Sequence, residues 1–170
     1  MTGIKLRKVI DGDAAARAAL GYQPDVVAGY GIRLSASAPM ALEDARAWVD
    51  NIAKHPHAWI IAHDGALAGE IRLDNVNLDD TRASLAVAIV DAAKLGQGIG
   101  RASIKACLKI AFEDMKLHRV SVRVLASNHR AIRCYEACGF RREGVEREAA
   151  LTDHGWQDDV IMGILAGEFA

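Results

Sequence analysis

The feature that most constrains this chain is a strand, turn and helix unit just past its middle. In Ser84 to Val90, Leu85, Val87 and Ile89 alternate with Ala86, Ala88 and Val90, so both faces are apolar. Such a strand belongs inside a sheet that is covered on both sides. The turn Gly96-Gln-Gly-Ile-Gly100 follows, and then a helix from Arg101 to about Met115, whose stripe is Ile104, Leu108, Ala111, Phe112 and Met115. A tight turn into a helix leaves the first-turn N–H groups unpaired and presents the positive end of the helix dipole. Glycines let the backbone approach a phosphate, and Gly98 and Gly100 accept unusual φ angles. The unit is a candidate anion site, against the plainer reading of a tight structural turn. It is not a G-x-x-x-x-G-K-[ST] loop, because the lysine and hydroxyl residue are missing. Counted from Gly98, a G-x-G-x-x-G pattern fails at Ser103.

Around this unit the periodicities alternate between two and 3.6. Ile4 to Ile10 reads as a strand, and Asp11-Gly12-Asp13 caps a helix over Ala14 to Leu20. Gly21 to Pro39 is irregular. Leu42, Ala45, Trp48, Val49 and Ile52 mark a helix from Leu42 to Ala53, ended by His55-Pro56. Ala58 to Ala62 and Ala66 to Leu73 form a hairpin about His63-Asp64-Gly65. Asp74 to Arg82 is a polar loop or an extension of that hairpin. Val120 to Leu125 is a strand, and a short helix spans Asn128 to Ala137, with Gly139 as its C-cap. Glu146 to Leu151 and Asp158 to Leu165 close the chain about Asp153-His154-Gly155. The expectation is one α+β (mixed α/β) domain over residues 1–170, with helices on a mostly antiparallel sheet.

A length of 170 residues, 51% of them hydrophobic and 25% charged, suits one such core. The net charge of −1 points away from nucleic acid, since the basic residues are scattered apart from Lys5 to Lys8 and Arg141-Arg142. No apolar run reaches the ~20 residues of a membrane span, so no membrane partner is expected. Three cysteines and no apolar leader fit a reducing, cytoplasmic setting. Cys134 and Cys138 stand four apart on a helix, but no matching Cys/His pair completes a zinc site, so they read as packing residues and no metal is expected. Trp48 and Trp59 read as core, and Trp156 as an exposed turn residue.

The turn Leu95-Gly96-Gln97-Gly98-Ile99-Gly100 resembles the [QR]-x-x-G-x-[GA] coenzyme A loop of the Gcn5-related N-acetyltransferase (GNAT) superfamily, with Leu95 in place of the leading polar residue. About 30 residues on, Asn128-His-Arg-Ala131-Ile-Arg-Cys-Tyr135-Glu-Ala-Cys-Gly139-Phe140 resembles the family's N-x-x-A-x-x-x-Y-x-x-x-G-F segment at five spaced positions. Leu95, Leu42 to Trp48 and the tail look like the ribosomal-protein N-terminal acetyltransferase (RimJ/RimL-like) type. The likeness implies a sheet of about seven strands flanked by about four helices, with acetyl-coenzyme A as cosubstrate and an amine as acceptor.

On that likeness, backbone N–H groups of Gln97, Gly98, Ile99, Gly100, Arg101 and Ala102 hold the pyrophosphate, with Leu95 and Gly96 in the same loop. Asn128 caps its helix or binds the pantetheine arm. Ala131 lets the cofactor pass close, and Arg130 and Arg133 either reach the 3′-phosphate or are solvated. Tyr135, a phenol of ordinary pKa ~10, protonates the leaving thiolate or hydrogen-bonds its sulfur. Its plain alternative is a packed tyrosine. Ile89 or Val90 offers a backbone N–H to the thioester oxygen. Glu70, set between Ala68 and Ile71, is the leading candidate for the base, and an outward-facing strand residue is its alternative. No cysteine stands as an obvious nucleophile, so direct attack in a ternary complex is expected. The acceptor is a protein N-terminal amine or a small amine such as a polyamine, an amino acid or an aminoglycoside. Gly21 to Pro39 and Asp74 to Arg82 shape that choice. A homodimer is compatible with the sequence. The alternatives are a succinyl- or other acyl-coenzyme A transferase and a non-catalytic acyl-coenzyme A sensor.

Overall fold

A computed structural model describes residues 3–169. Among these, one seven-stranded sheet carries the chain in the order β1-β2-β3-β4-β5-β7-β6. The strands are β1 (Ile4–Arg7), β2 (Ala58–His63), β3 (Ala66–Asn77), β4 (Arg82–Ile89), β5 (Arg119–Leu125), β6 (Arg141–Thr152) and β7 (Gly155–Leu165). The helices are α1 (Asp13–Leu20), the one-turn α2 (Pro24–Val27), α3 (Leu42–Lys54), α4 (Ile99–Lys109) and α5 (His129–Glu136). Every neighbouring strand pair is antiparallel except β4 with β5. The mixed, mostly antiparallel architecture expected from the periodicities is the one observed.

The main core lies where α4 and α5 cover β3, β4, β5 and β7. Ile104, Leu108 and Ala111 of the expected stripe are fully buried against Ile71, Leu73, Val120 and Met162. The helix does not run unbroken to Met115, because Ile110–Asp114 winds as a π turn. A second, smaller cluster lies on the other side, where Ile52 of α3 meets Ala58, Ile60, Leu67 and Val90.

Several boundaries differ from the sequence reading. β1 ends at Arg7 because the chain turns to bring Asp13 back. The Arg7 guanidinium sits 2.7 and 2.8 Å from the Asp13 carboxylate, which also accepts the Ile10 N–H at 2.9 Å. The cap of α1 is Gly12, at φ 95°, with no side-chain bond. The polar stretch after Leu73 extends the hairpin, and β3 continues to Asn77. β6 and β7 are longer than expected and start earlier, at Arg141 and Gly155. Trp48 and Trp59 are only half-buried, at the rim of the core, where the cations of Arg17 and Lys8 lie 5.7 and 5.3 Å from their rings. Trp156 is exposed as expected, but it stands in β7 opposite Leu151 and not in the turn.

β4 is held fully on one edge and barely on the other. Its residues pair with β3 from Arg82 to Ile89. With β5 it pairs only through Arg82, Ala83 and Ser84. β5 itself is zipped to β7 along its whole length, from Arg119 opposite Leu165 to Leu125 opposite Asp159. The two central strands therefore part after Ser84, and a wedge opens between them. Gly69 permits the close β3–β4 approach beside the wedge, since a Cβ there would run into the Ala88 carbonyl. Gly69→Ala is expected to destabilise the fold by about 1–3 kcal/mol through overpacking, read from the chemical denaturation midpoint. Wild-type stability in that variant would show that the two strands can shift apart freely.

Candidate active site

The wedge forms a cavity of about 510 Å³. One wall is β4, through Leu85 to Val87 and Ile89, and the opposite wall is β5, through Arg123 to Leu125. The turn Leu95, Gly96, Gly98 and the start of α4 close one end, while Asn128, Ala131, Cys134 and Tyr135 of the α5 segment line the floor.

The β4 wall is a bare strand edge. Val90 donates its N–H to the Ala68 carbonyl at 2.9 Å. In an antiparallel ladder bonded and non-bonded pairs alternate. The pairs Gly69–Ile89, Ile71–Val87 and Leu73–Leu85 are thus the non-bonded ones, and the backbone groups of Leu85, Val87 and Ile89 point toward β5. Beyond Ser84 no β5 residue pairs with them. Buried backbone groups without partners are rare, and a polar chain laid in the wedge would satisfy them. Of the two residues expected to offer an N–H, Ile89 has its group directed into the wedge. Val90 does not, because its N–H is spent on Ala68 and its side chain packs in the smaller core cluster.

The glycine turn ends in a helix start with free donors. Gly98, at φ 79°, is the N-cap of α4 and makes no side-chain cap bond. Ala102 already donates to the Gly98 carbonyl at 3.0 Å, so the unpaired first-turn groups are those of Ile99, Gly100 and Arg101. This removes Ala102 from the expected set of donors. Gly96 and Gly98 have the positive φ, whereas Gly100 is an ordinary helical residue. Its lack of a side chain instead keeps the floor open between Ile89 and Cys134. Gln97 turns its amide back to the Ala93 carbonyl at 2.5 Å and, like Ala102, is not among the lining residues. The start of α4, with the cation of Arg101, suits a diphosphate.

Asn128 uses both ends of its amide. Its oxygen accepts the Ala131 N–H at 3.1 Å, which caps α5, and its nitrogen donates to the Gly29 carbonyl at 3.0 Å. The second bond ties α5 to the segment from α2 to Gly31, which roofs the cavity with Val26, Gly29 and Tyr30. Arg130 adds a bond to the Asp25 carbonyl at 3.0 Å, so its guanidinium serves the roof. Arg133 is exposed on α5 and does not line the cavity.

Tyr135 lines the cavity from the buried face of α5, with its ring set edge-on to Phe140 at 5.5 Å. Burial pushes its phenol well above the ordinary value, and the neighbouring Cys134 adds to this. The hydroxyl is therefore protonated at any ordinary pH.

Glu70 lies on the other face of the sheet. It sits opposite Ala88, in a smaller hollow with Trp48, Asn51, Ile52, His55, Ala58 and Arg72. Burial raises its carboxyl above the usual range, against the lowering effects of Arg72 and of a bond from Trp48. Its field reaches Tyr30, whose phenol is raised first by burial and then by Glu70. Tyr30 thus stands between the wedge and the Glu70 hollow. On this face the stretch of β4 beyond Ser84 presents the small residues Ala86 and Ala88. Tyr30, Lys94, Arg123 and Asp159 line the cavity too and were not legible as site residues. The one available hint was an aromatic residue in an otherwise irregular segment.

A family model described as "Acetyltransferase (GNAT) domain" matches residues 4–141. Aminoglycoside N(6′)-acetyltransferase type 1 of Klebsiella pneumoniae is 38% identical over 56 residues, 33% of this chain and 28% of that protein. Spermidine N(1)-acetyltransferase of Vibrio cholerae is 29% identical over 103 residues, 61% of this chain and 59% of that protein. The chain thus spans less than three fifths of these curated relatives. The solved structure of spermidine N-acetyltransferase from Vibrio cholerae in complex with CoA and spermine superposes with a TM-score of 0.78 at 21% identity. It covers 98% of this chain and 97% of that one, which establishes a shared fold.

The two bonds of Asn128 can be separated by substitution. Asn128→Ala removes both and is expected to cost about 1–2 kcal/mol in a denaturation experiment. Asn128→Asp keeps the cap and loses only the donor to Gly29, so it should cost less. Equal stability of the alanine variant and the wild type would mean that neither bond holds the roof.

Proposed function

The chain belongs to the GNAT acetyltransferase family, and on that premise we propose that it moves an acetyl group from acetyl-coenzyme A to a primary amine by direct attack in a ternary complex. The observation that carries this reading is the continuity of the wedge. It runs from the free N–H groups of Ile99 to Arg101, along the bare edge of β4, to Tyr135. A diphosphate at one end and a thioester at the other, joined by an arm with amide groups, match that order of donors and acceptors.

The residues divide the work. The α4 start and Arg101 hold the diphosphate, while Leu85 and Val87 pair their backbone with the arm. The Ile89 N–H faces the thioester oxygen, where negative charge grows as the amine attacks. Tyr135 gives its proton to the departing thiolate. Burial penalises phenolate and thiolate alike, so the raised pKa of the phenol does not forbid the transfer. The amine approaches across Ala86 and Ala88, on the side of Tyr30 and Glu70. An alkyl ammonium of pKa ~10 has to lose a proton first, and Glu70 takes it directly or through water. The raised affinity of that carboxylate for protons suits it to the task.

The acceptor is a small amine or a protein N-terminus. The relatives named for spermidine and an aminoglycoside support the first, and the motif likeness to the ribosomal-protein N-terminal type supports the second. Release of free thiol from acetyl-coenzyme A, measured with polyamines, aminoglycosides and N-terminal peptides, is the direct test. Binding of coenzyme A with no turnover on any amine would make the protein a sensor instead. Faster release from succinyl-coenzyme A would change the acyl group.

Two variants test the assignments. Tyr135→Phe is expected to lower kcat about 100-fold, with the KM for acetyl-coenzyme A nearly unchanged; wild-type turnover would remove the acid role. For Glu70 the active form is the carboxylate, so the rate should rise with pH through a value above the usual carboxylate range. Glu70→Gln should lose that acid limb, and a limb that persists in the variant would assign the titration to another group.

A further inference from the structure

Cys134 in the floor of the wedge and the buried Cys138 next to it have no part in the acetyl transfer. We propose that Cys134 and Cys138 form a reversible intramolecular disulfide when the protein meets a hydroperoxide, and that this disulfide weakens acyl-coenzyme A binding at the adjoining start of α4.

The placement of the two sulfurs carries the proposal. Cys134, in the last turn of α5, is half-buried and lines the cavity, so a small oxidant can reach it. A methyl group built on Gly100 would lie 3.8 Å from its Sγ. Cys138, just past the end of the same helix, is buried with its Sγ 3.7 Å from the Arg101 carbonyl oxygen. Both sulfurs thus rest against the first turn of α4, where the N–H groups are unpaired. All three cysteines are free in this structure.

The thiols are also unequal. The adjoining Cys138 thiol holds the Cys134 thiol below its ordinary value despite burial, and Arg101 helps. The same contact, together with burial, pushes Cys138 up. Because Cys134 opens on the cavity and Cys138 is buried behind it, Cys134 is the nucleophile and Cys138 the resolving thiol. The Cys134 thiolate attacks one oxygen of the peroxide, which gives the sulfenic acid and one hydroxide or alkoxide. The Cys138 sulfur then attacks the sulfenic sulfur, and its proton leaves with the sulfenic hydroxyl as water. Two thiols are oxidised by two electrons and one peroxide is reduced. Cys107 is fully buried, and burial pushes its thiol up to about 12, so it stays out of this chemistry.

Residues four apart along a helix have Cα atoms about 6 Å apart, within disulfide range. Their Cβ atoms, about 5–6 Å apart, must close to about 4 Å, so the last turn of α5 tightens. Tyr135 sits in that turn, and Phe140 donates its N–H to the Tyr135 carbonyl at 3.1 Å. Closure therefore strains the Tyr135 segment and draws both sulfurs away from their seats under Gly100 and Arg101.

Disulfide formation stands independently of the acetyl transfer, whereas its effect on acyl-coenzyme A rests on the proposed function. The full-length protein is treated with hydrogen peroxide, alkylated with iodoacetamide and digested with trypsin. Both cysteines fall in one fragment, residues 134–141. The expected result is a fragment two hydrogens lighter and unalkylated, restored by dithiothreitol, with Cys107 still alkylated. In Cys138→Ser the fragment should instead carry a sulfenic acid that dimedone traps. In Cys134→Ser it should resist peroxide. Full alkylation of Cys134 and Cys138 after peroxide, or oxidation of Cys107 at the same rate, would overturn the disulfide. Calorimetry with coenzyme A should give at least about tenfold weaker binding to the oxidised than to the reduced protein, and equal affinity would overturn the gating. Failure of the reduced protein to bind coenzyme A would sink the proposed function and the gating together, while the fragment masses would still decide the disulfide.

Discussion

The parting of β4 from β5 is the constraint on which the rest of this molecule depends. Each strand has a stronger commitment elsewhere. β4 is paired through its length to β3, and β5 through its length to β7, so neither can follow the other beyond the three residues they share. The separation exposes backbone donors and acceptors in the middle of the sheet, which is an unfavourable place to leave them empty. A covering layer of side chains would hide the defect. Here the neighbours are small or withdrawn instead: Gly100, Ala131, Ala86 and Ala88 leave the edge open on both faces. The wedge stays open because the two strands cannot pair further and none of the described residues fills it.

The groove is electrically graded. Its α4 end offers uncompensated N–H groups and Arg101, and helix geometry supplies this polarity without a capping side chain. Its other end is lined by phenols and flanked by carboxylates. Asp159 is held by Arg123 at 2.8 Å, and Glu70 lies in its own hollow with Arg72 at 3.5 Å. Asp159 is thereby neutralised, whereas burial outweighs the weak contact of Glu70 with Arg72 and leaves that carboxyl with a raised affinity for protons. The two acids share a sheet yet face different surroundings, one against a guanidinium and the other in a largely apolar hollow.

What the sequence disclosed and what it withheld follow from the range of the interactions involved. The glycine turn, the α4 stripe and the Asn128 to Phe140 segment are local patterns, set by neighbours within a turn or two, and all were legible. The free edge at Ile89 was legible only as a family expectation, because it depends on two strand pairings far apart in the chain. Val90, one residue on, looks the same in sequence and differs entirely in space, since the ladder alternates. Ala102 failed as a donor by a single helical position. Gly100 was read for backbone freedom, yet it is an ordinary helical residue whose Cβ would meet Cys134 and Ile89 at ordinary contact distance. Tyr30 was hidden in a segment without periodicity, whose position is fixed from outside.

That outside fixing explains how an irregular roof can be ordered. The segment from Gln23 to Arg33 buries little beyond Val26 and Val27, and it leaves Tyr30 and Ile32 about half exposed. It is held by polar threads instead: Asn128 to the Gly29 carbonyl, Arg130 to the Asp25 carbonyl, and the Arg33 N–H to Asp153 at 2.6 Å. Each such bond contributes only about 1 kcal/mol net. Together they span α5 and the β6–β7 hairpin, so Tyr30 is positioned over the groove by two elements that the core already holds rigid. Residues between the threads can change with little effect on the core. On the proposed function, acceptor choice is then free to diverge in this roof, while the β4 edge and the α4 start, assigned there to the donor, remain as the sheet dictates.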